Sequence, residues 1–270
     1  MIVRPPAIFE TLLNCETEVH LWPVWLSGDD ETVMSCSSVL SPAERERAAS
    51  FKFEELRRKY VLSRGILRAL LSRYVLASPQ ELRFTVRANG KPALLGSVFD
   101  IRFNVSHSGE AAIFAITPGS EVGVDIEHIR HMTFLDIAEQ FFCNEEKLSL
   151  ISLPPRARKQ GFFHCWTRKE ACLKATGEGL TSPPTKFCVT LKPDEPAQVL
   201  HVEGDRERAR RWVLHDISPA EGYAGALAYW GPRRPIRLFE FSTASELLDL
   251  LDGEDHGTQI AAFRGYGRVN

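Results

Sequence analysis

Two short stretches constrain this chain more than anything else in it. One is Val122-Gly123-Val124-Asp125-Ile126-Glu127; the other is Trp166-Thr167-Arg168-Lys169-Glu170-Ala171-Cys172-Leu173-Lys174. The first reads as a strand, so Asp125 and Glu127 share one face while Val124 and Ile126 turn to a core. The second lies in a helix expected from about Phe162 to Thr176, where residues four apart stack. Trp166, Glu170 and Lys174 then line one side. If the helix packs across the end of the strand, three carboxylates and one ammonium converge. Asp125, Glu127 and Glu170 would give magnesium hard oxygen ligands and leave vacancies for a substrate phosphate. Lys174 would meet that phosphate as a point charge. Singly, an Asp-x-Glu strand is usually a solvated face, and Lys–Glu pairs are usually surface decoration. The company the two motifs keep is what points to a site.

The chain has 270 residues, enough for one large domain or two ordinary ones, and 44% are hydrophobic. Its 33 Lys and Arg against 35 Asp and Glu leave a net charge of -2, which makes no whole-chain case for nucleic acid. Six cysteines (Cys15, Cys36, Cys143, Cys165, Cys172, Cys188) are scattered without a Cys-x-x-Cys. Neither a zinc site nor a disulfide framework is expected from that spacing, and reduced thiols suggest the cytoplasm. Met1 to Pro6 lacks the apolar run of a signal peptide. No stretch reaches the ~18 apolar residues of a membrane span.

In chain order, residues 19–26 read as a strand whose Pro23 suits a sheet edge. Ser41-Pro42-Ala43-Glu44 is a capped helix start. The helical segment 44–73 carries nine basic residues (Arg45, Arg47, Lys52, Arg57, Arg58, Lys59, Arg64, Arg68, Arg73) against four glutamates. It reads either as a solvated helix face or as an anion platform. Strands follow at 84–86, 101–105, 111–117 and 122–127, with an Asn89-Gly90 turn ahead of Lys91-Pro92. Helices are expected over 134–142 and from Asn144 to the Pro154-Pro155 break. Strands at about 187–192, 198–202, 211–216 and 224–229 close the pattern.

The order strand, Ser-containing turn, small apolar strand occurs twice, at 101–116 and 213–229. The expected fold class is therefore α+β: two similar halves, 1–117 and 118–232, related by a pseudo-twofold axis with the site in the cleft between them. Residues 233–270 change composition and read as a C-terminal extension, in part disordered.

Four stretches now stand in a fixed order: Gly90-Lys91-Pro92, Phe103-Asn104-Val105-Ser106-His107-Ser108, the strand at 122–127 and the helix motif at 166–174. As an ordered set they resemble the 4′-phosphopantetheinyl transferases of the Sfp type, over about residues 40–230. The resemblance implies transfer of phosphopantetheine from coenzyme A to a serine of an apo acyl or peptidyl carrier protein, with 3′,5′-ADP as the other product. It implies magnesium on Asp125, Glu127 and Glu170, Lys174 on phosphate, and His107, with Ser106 beside it, near the coenzyme's 3′-phosphate. Asn89, Gly90, Lys91 and Pro92 would hold the nucleotide, and Arg47 falls in frame with an early basic contact. Glu170 leads as the base for the carrier's serine, with Glu127 or a metal-held water behind it. A monomer in the cytoplasm is expected, with no nucleic acid or membrane partner.

Two other readings share some residues. A different magnesium-dependent nucleotide phosphotransferase or hydrolase would use the same carboxylates. A non-catalytic coenzyme-binding protein would have no use for a base. A serine hydrolase built on Ser106 or Ser108 with His107 lacks the Gly-x-Ser-x-Gly elbow.

Overall fold

The computed structural model describes residues 18–252, apart from 88–90, 98–99, 178–182, 218 and 240–241. Its strands are β1 Val19–Trp25, β2 Phe84–Val86, β3 Pro92–Leu94, β4 Ile101–Ser108, β5 Ala111–Pro118, β6 Val122–His128, β7 Phe187–Val189, β8 Val199–Val202, β9 Trp212–Ile217, β10 Tyr223–Trp230, β11 Ile236–Leu238 and β12 Ser242–Thr243. Its helices are α1 Asp30–Ser38, α2 Pro42–Ala49, α3 Glu54–Val75, α4 Leu135–Phe141, α5 Asn144–Ser152, α6 Pro155–Thr176, α7 Arg206–Ala209 and α8 Ala244–Asp252.

The first sheet runs β11-β1-β5-β4, with β12 also on β1, and the second runs β6-β10-β9. The two sheets pack face to face through Val19, Leu21, Ile113 and Ala115 on one side and Val124, Ile126, Leu227 and Tyr229 on the other. Each sheet is covered on its outer face by a 22-residue helix. Residues of α3 join Trp22, Val24, Phe114 and Ile116 in one core. Residues of α6 join Ala224, Ala226 and Ala228 in another. Strands buried on both faces read as continuous apolar runs, which explains the lack of alternation in β5.

Several expectations change. β1 is an interior strand, because β5 pairs it on one side and β11 and β12 on the other. Pro23 is tolerated all the same: β11 pairs residues 19–21 and β12 pairs 24–25, so that side of the strand is unpaired at Pro23. The basic segment is two helices, α2 and α3, and its cations are largely engaged within the protein. Buried Glu44 accepts Arg64 Nε at 2.9 Å and Arg68 Nε at 2.7 Å. Arg58 holds Asp30, and Lys59 holds Glu55 and Glu110.

The segment after residue 233 is also no loose extension as far as it is described. β11 and β12 add parallel strands to β1, and Ala244, Leu247 and Leu251 of α8 are buried in the α3 core. Phe239 stacks on Trp22 with ring centroids 3.5 Å apart. Residues 253–270 lie outside the described residues. Finally, Cys143 and Cys188 pair as a disulfide with Cα atoms 6.0 Å apart, a proximity the spacing did not announce.

Candidate active site

β6 and α6 cross at very close range, and a glycine allows it. A Cβ on Gly123 would stand 2.0 Å from the Ala171 carbonyl oxygen and 2.4 Å from the Ala175 nitrogen. Gly123, Asp125 and Glu127 share one strand face, so whatever brings Gly123 onto α6 also aims the two carboxylates along that helix. Lys174 Nζ donates to Asp125 Oδ1 at 2.6 Å. Glu170, one turn earlier, is half-buried beside them.

The second wall is β4. It is the edge of its sheet, as β6 is of its own, and the two run side by side without a backbone ladder. Three side chains bridge them. Asn104 Oδ1 accepts from the Val124 amide at 2.9 Å, Ser106 Oγ from Ile126 at 3.3 Å, and Ser108 Oγ from His128 at 3.1 Å. The same hydroxyls then donate onward, Ser106 to Asp125 Oδ1 at 2.8 Å and Ser108 to Glu127 Oε2 at 2.7 Å. Lys174 Nζ also donates to Ser106 Oγ at 2.9 Å. Ser106 thus uses its one proton and both lone pairs.

This crowding raises the proton affinity of every carboxylate. Burial pushes the Asp125 pKa up against the pull of Lys174. Burial does the same for Glu127, and for Glu170, where the Asp125 and Glu127 charges add to it. Asp125 Oδ2 is buried and has no hydrogen-bond partner among the described residues. A buried carboxylate oxygen without a donor is costly unless something positive meets it. The donor set is three hard oxygen groups around one ammonium, and it fits a small divalent cation.

The other expected residues are spread more widely. His107 sits on β4 facing away from Ser106 and Ser108, and it is exposed. Lys91 is buried and donates to Glu121 Oε2 at 2.7 Å and to the Val122 carbonyl at 2.8 Å, which ties its segment to the start of β6. Pro92 opens β3, while Asn89 and Gly90 lie outside the described residues. Arg47 is on α2 with its guanidinium 5.2 Å from the Phe51 ring centroid.

Two residues of the helix motif had no expected role. Arg168, fully buried, makes paired bonds to Asp216 at 2.8 and 2.6 Å. Lys169 is held by Glu146 at 2.7 and 2.9 Å. They lock the rotation of α6, so that Glu170 and Lys174 face β6. The polar alternation Asn104, Ser106, Ser108 was the available signal for the bridge between sheets. A partner strand for it could not be read from a single chain of letters.

Comparison with known proteins agrees with the motifs. Residues 121–228 match the family model of the 4′-phosphopantetheinyl transferase superfamily. Residues 25–119 match the model of the 4′-phosphopantetheinyl transferase N-terminal region. The chain therefore belongs to the 4′-phosphopantetheinyl transferase family. It is 35% identical over 232 residues to the 4′-phosphopantetheinyl transferase HetI of a Nostoc species, an alignment covering 84% of this chain and 92% of that one. It is 32% identical over 157 residues to the 4′-phosphopantetheinyl transferase Sfp of Bacillus subtilis, covering 58% and 69% respectively. Among the described residues no helix is long and apolar enough to cross a membrane.

Proposed function

We propose that this chain transfers the 4′-phosphopantetheine group of coenzyme A to a serine hydroxyl of an apo carrier protein, releasing 3′,5′-ADP. The observation that carries the chemistry is the cluster of buried Asp125 with half-buried Glu127 and Glu170, in which one Asp125 oxygen has no partner among the described residues and Lys174 brings its ammonium close. Asp125, Glu127 and Glu170 would hold Mg2+, which when bound neutralises charge on the pyrophosphate. The chain's own residues do the rest. The serine oxygen forms a bond to the phosphorus next to the pantetheine arm, and the bond from that phosphorus to the bridging oxygen of the ADP moiety breaks. Glu170 would take the serine proton, and burial together with the Asp125 and Glu127 charges raises its proton affinity, in the direction a base needs. Lys174 shares its ammonium between Asp125 and Ser106 and can turn part of it to a phosphate oxygen. Exposed His107 on β4 and the Lys91-Pro92 segment at the start of β3 would meet the nucleotide end.

The direct test is the intact mass of an apo carrier protein incubated with coenzyme A, Mg2+ and this protein. The expected result is a single phosphopantetheine adduct and stoichiometric 3′,5′-ADP. Release of 3′,5′-ADP with no adduct on any of a panel of acyl and peptidyl carriers would favour a hydrolase instead.

The bridge between β4 and β6 carries a finer prediction. Ser108→Ala removes the donor to Glu127 and leaves the His128 amide unpaired. A lost hydrogen bond to a charged group costs about 1.5–3 kcal/mol, so binding of Mn2+, used as a spectroscopic stand-in, should weaken about tenfold or more. Ser108→Thr keeps the hydroxyl and should restore most of it. Equal Mn2+ affinity in Ser108→Ala and wild type would show that the hydroxyl does not orient the carboxylate.

A further inference from the structure

On the far side of α6 from the carboxylates, a second cluster gathers at the start of α5 and the β7–β8 hairpin. Cys143 immediately precedes α5, Cys188 is on β7, and His201 is on β8, paired in register with Cys188. One donor atom from each of Cys143, Cys188 and His201 lies within 4.8 Å of the others. Glu145 flanks two of them, with Oε2 3.7 Å from Cys188 Sγ and 3.8 Å from His201 Nε2, and its exposed side chain is free to turn toward an ion. A tetrahedral zinc ion, with Zn–S about 2.3 Å and Zn–N about 2.0 Å, sets its donors roughly 3.5 Å apart. None of these four residues belongs to the site described above.

We propose that the reduced Cys143–Cys188 pair, together with His201 and Glu145, binds one zinc ion. A disulfide accounts for the two sulfurs, and in the oxidised form they pair with each other. It does not account for an imidazole within 4.8 Å of both sulfurs, with a carboxylate beside it. Two thiols, an imidazole and a carboxylate are donors that suit zinc, and they select it strongly over magnesium.

The frame is also built in advance. Buried Glu146 accepts the Cys143 amide and the Val189 amide, each at 2.8 Å, and it is paired with Lys169. The backbones on either side of the two sulfurs are therefore fixed to one carboxylate before any ion arrives. Cys143 and His201 are only partly buried and Glu145 is exposed, so an ion can enter from solvent. The His201 ring gives Nδ1 to the Gly204 amide at 3.2 Å and turns Nε2 toward Glu145. Metal on Nε2 places the ring proton on Nδ1, so the Gly204 amide loses its acceptor when the site fills.

The test uses the full chain, reduced with a phosphine, stripped by a chelator and titrated with Co2+. The expected result is one equivalent bound, with thiolate-to-cobalt charge-transfer bands and the visible bands of a tetrahedral ion. One equivalent of Zn2+ should displace it, and a large excess of Mg2+ should not. Amide exchange at Gly204 should quicken on loading.

Cys143→Ser keeps a good helix N-cap residue, so its fold is expected to survive. It should lose Co2+ affinity by more than the roughly 10–100-fold that an outer partner is worth. His201→Ala should do the same and shift the visible bands. Charge-transfer bands unchanged in Cys143→Ser would overturn the proposal. So would a reduced protein that takes up no Co2+ at stoichiometric concentration, or one that closes to the disulfide in the presence of equimolar Zn2+ with no metal in its native mass.

Discussion

Asp125→Asn should abolish transfer while leaving the protein folded. Asp125 is only 4% exposed and keeps an oxygen with no partner among the described residues. Burial raises its proton affinity, which means the ionised form is held there at a cost. Asparagine keeps the shape, can still accept from Ser106 and Lys174, and removes the charge. Turnover should fall by on the order of 10²–10³ or more, the usual scale for losing one preorganised electrostatic contact. In metal-free buffer the melting temperature should hold or rise, because a desolvated negative charge has been removed. Single-turnover transfer measured by carrier mass, beside thermal unfolding in chelator, checks both halves. Wild-type turnover would remove Asp125 from the site. Lost turnover with a collapsed melting temperature would make its role one of packing.

A chain cut after Gly231 should fail to fold stably. The cut removes β11, β12 and α8, and with them the buried Ala244, Leu247 and Leu251 and the Phe239 ring on Trp22. Each buried leucine is worth about 1.5–3 kcal/mol, and a whole domain's stability is about 5–15 kcal/mol. It also strips the outer pairing partners from β1, including the Val19 amide bond to Pro235 and the Phe239 amide bond to Leu21, both 2.9 Å. The expected result is low solubility and a broad, early melting transition. A well-folded, active protein ending at Gly231 would show that α8 is an accessory to the first core.

The strand that carries Asp125 and Glu127 was legible because alternation is local: those two against Val124 and Ile126 need only a period of two. The helix face was legible for the same reason, although α6 begins at Pro155, earlier than the periodicity showed. A proline pair that looked like a break supplies its first turn. What stayed hidden is what depends on partners far away in sequence. Arg64 and Arg68 read as part of a basic face, yet Glu44, some twenty residues earlier, holds both. The parallel pairing of β11 with β1 joins residues more than two hundred apart. Cys143 and Cys188 carry no spacing signature, since Glu146 and Lys169 bring their segments together through the body of the second half. Gly123 could be seen as a glycine in a strand, but the helix backbone it admits could not.

The return of residues 236–252 to the first sheet also bears on how the protein is made. β1, α3 and β5 leave the ribosome before the second sheet, but the strands and helix that complete their core leave it only after that sheet. The second sheet and α6 have all their strands before that point. The amino-terminal half must therefore wait, with part of its apolar surface uncovered, while the carboxyl-terminal half forms. Slow synthesis or a premature stop would leave that half exposed to aggregation or to chaperone capture.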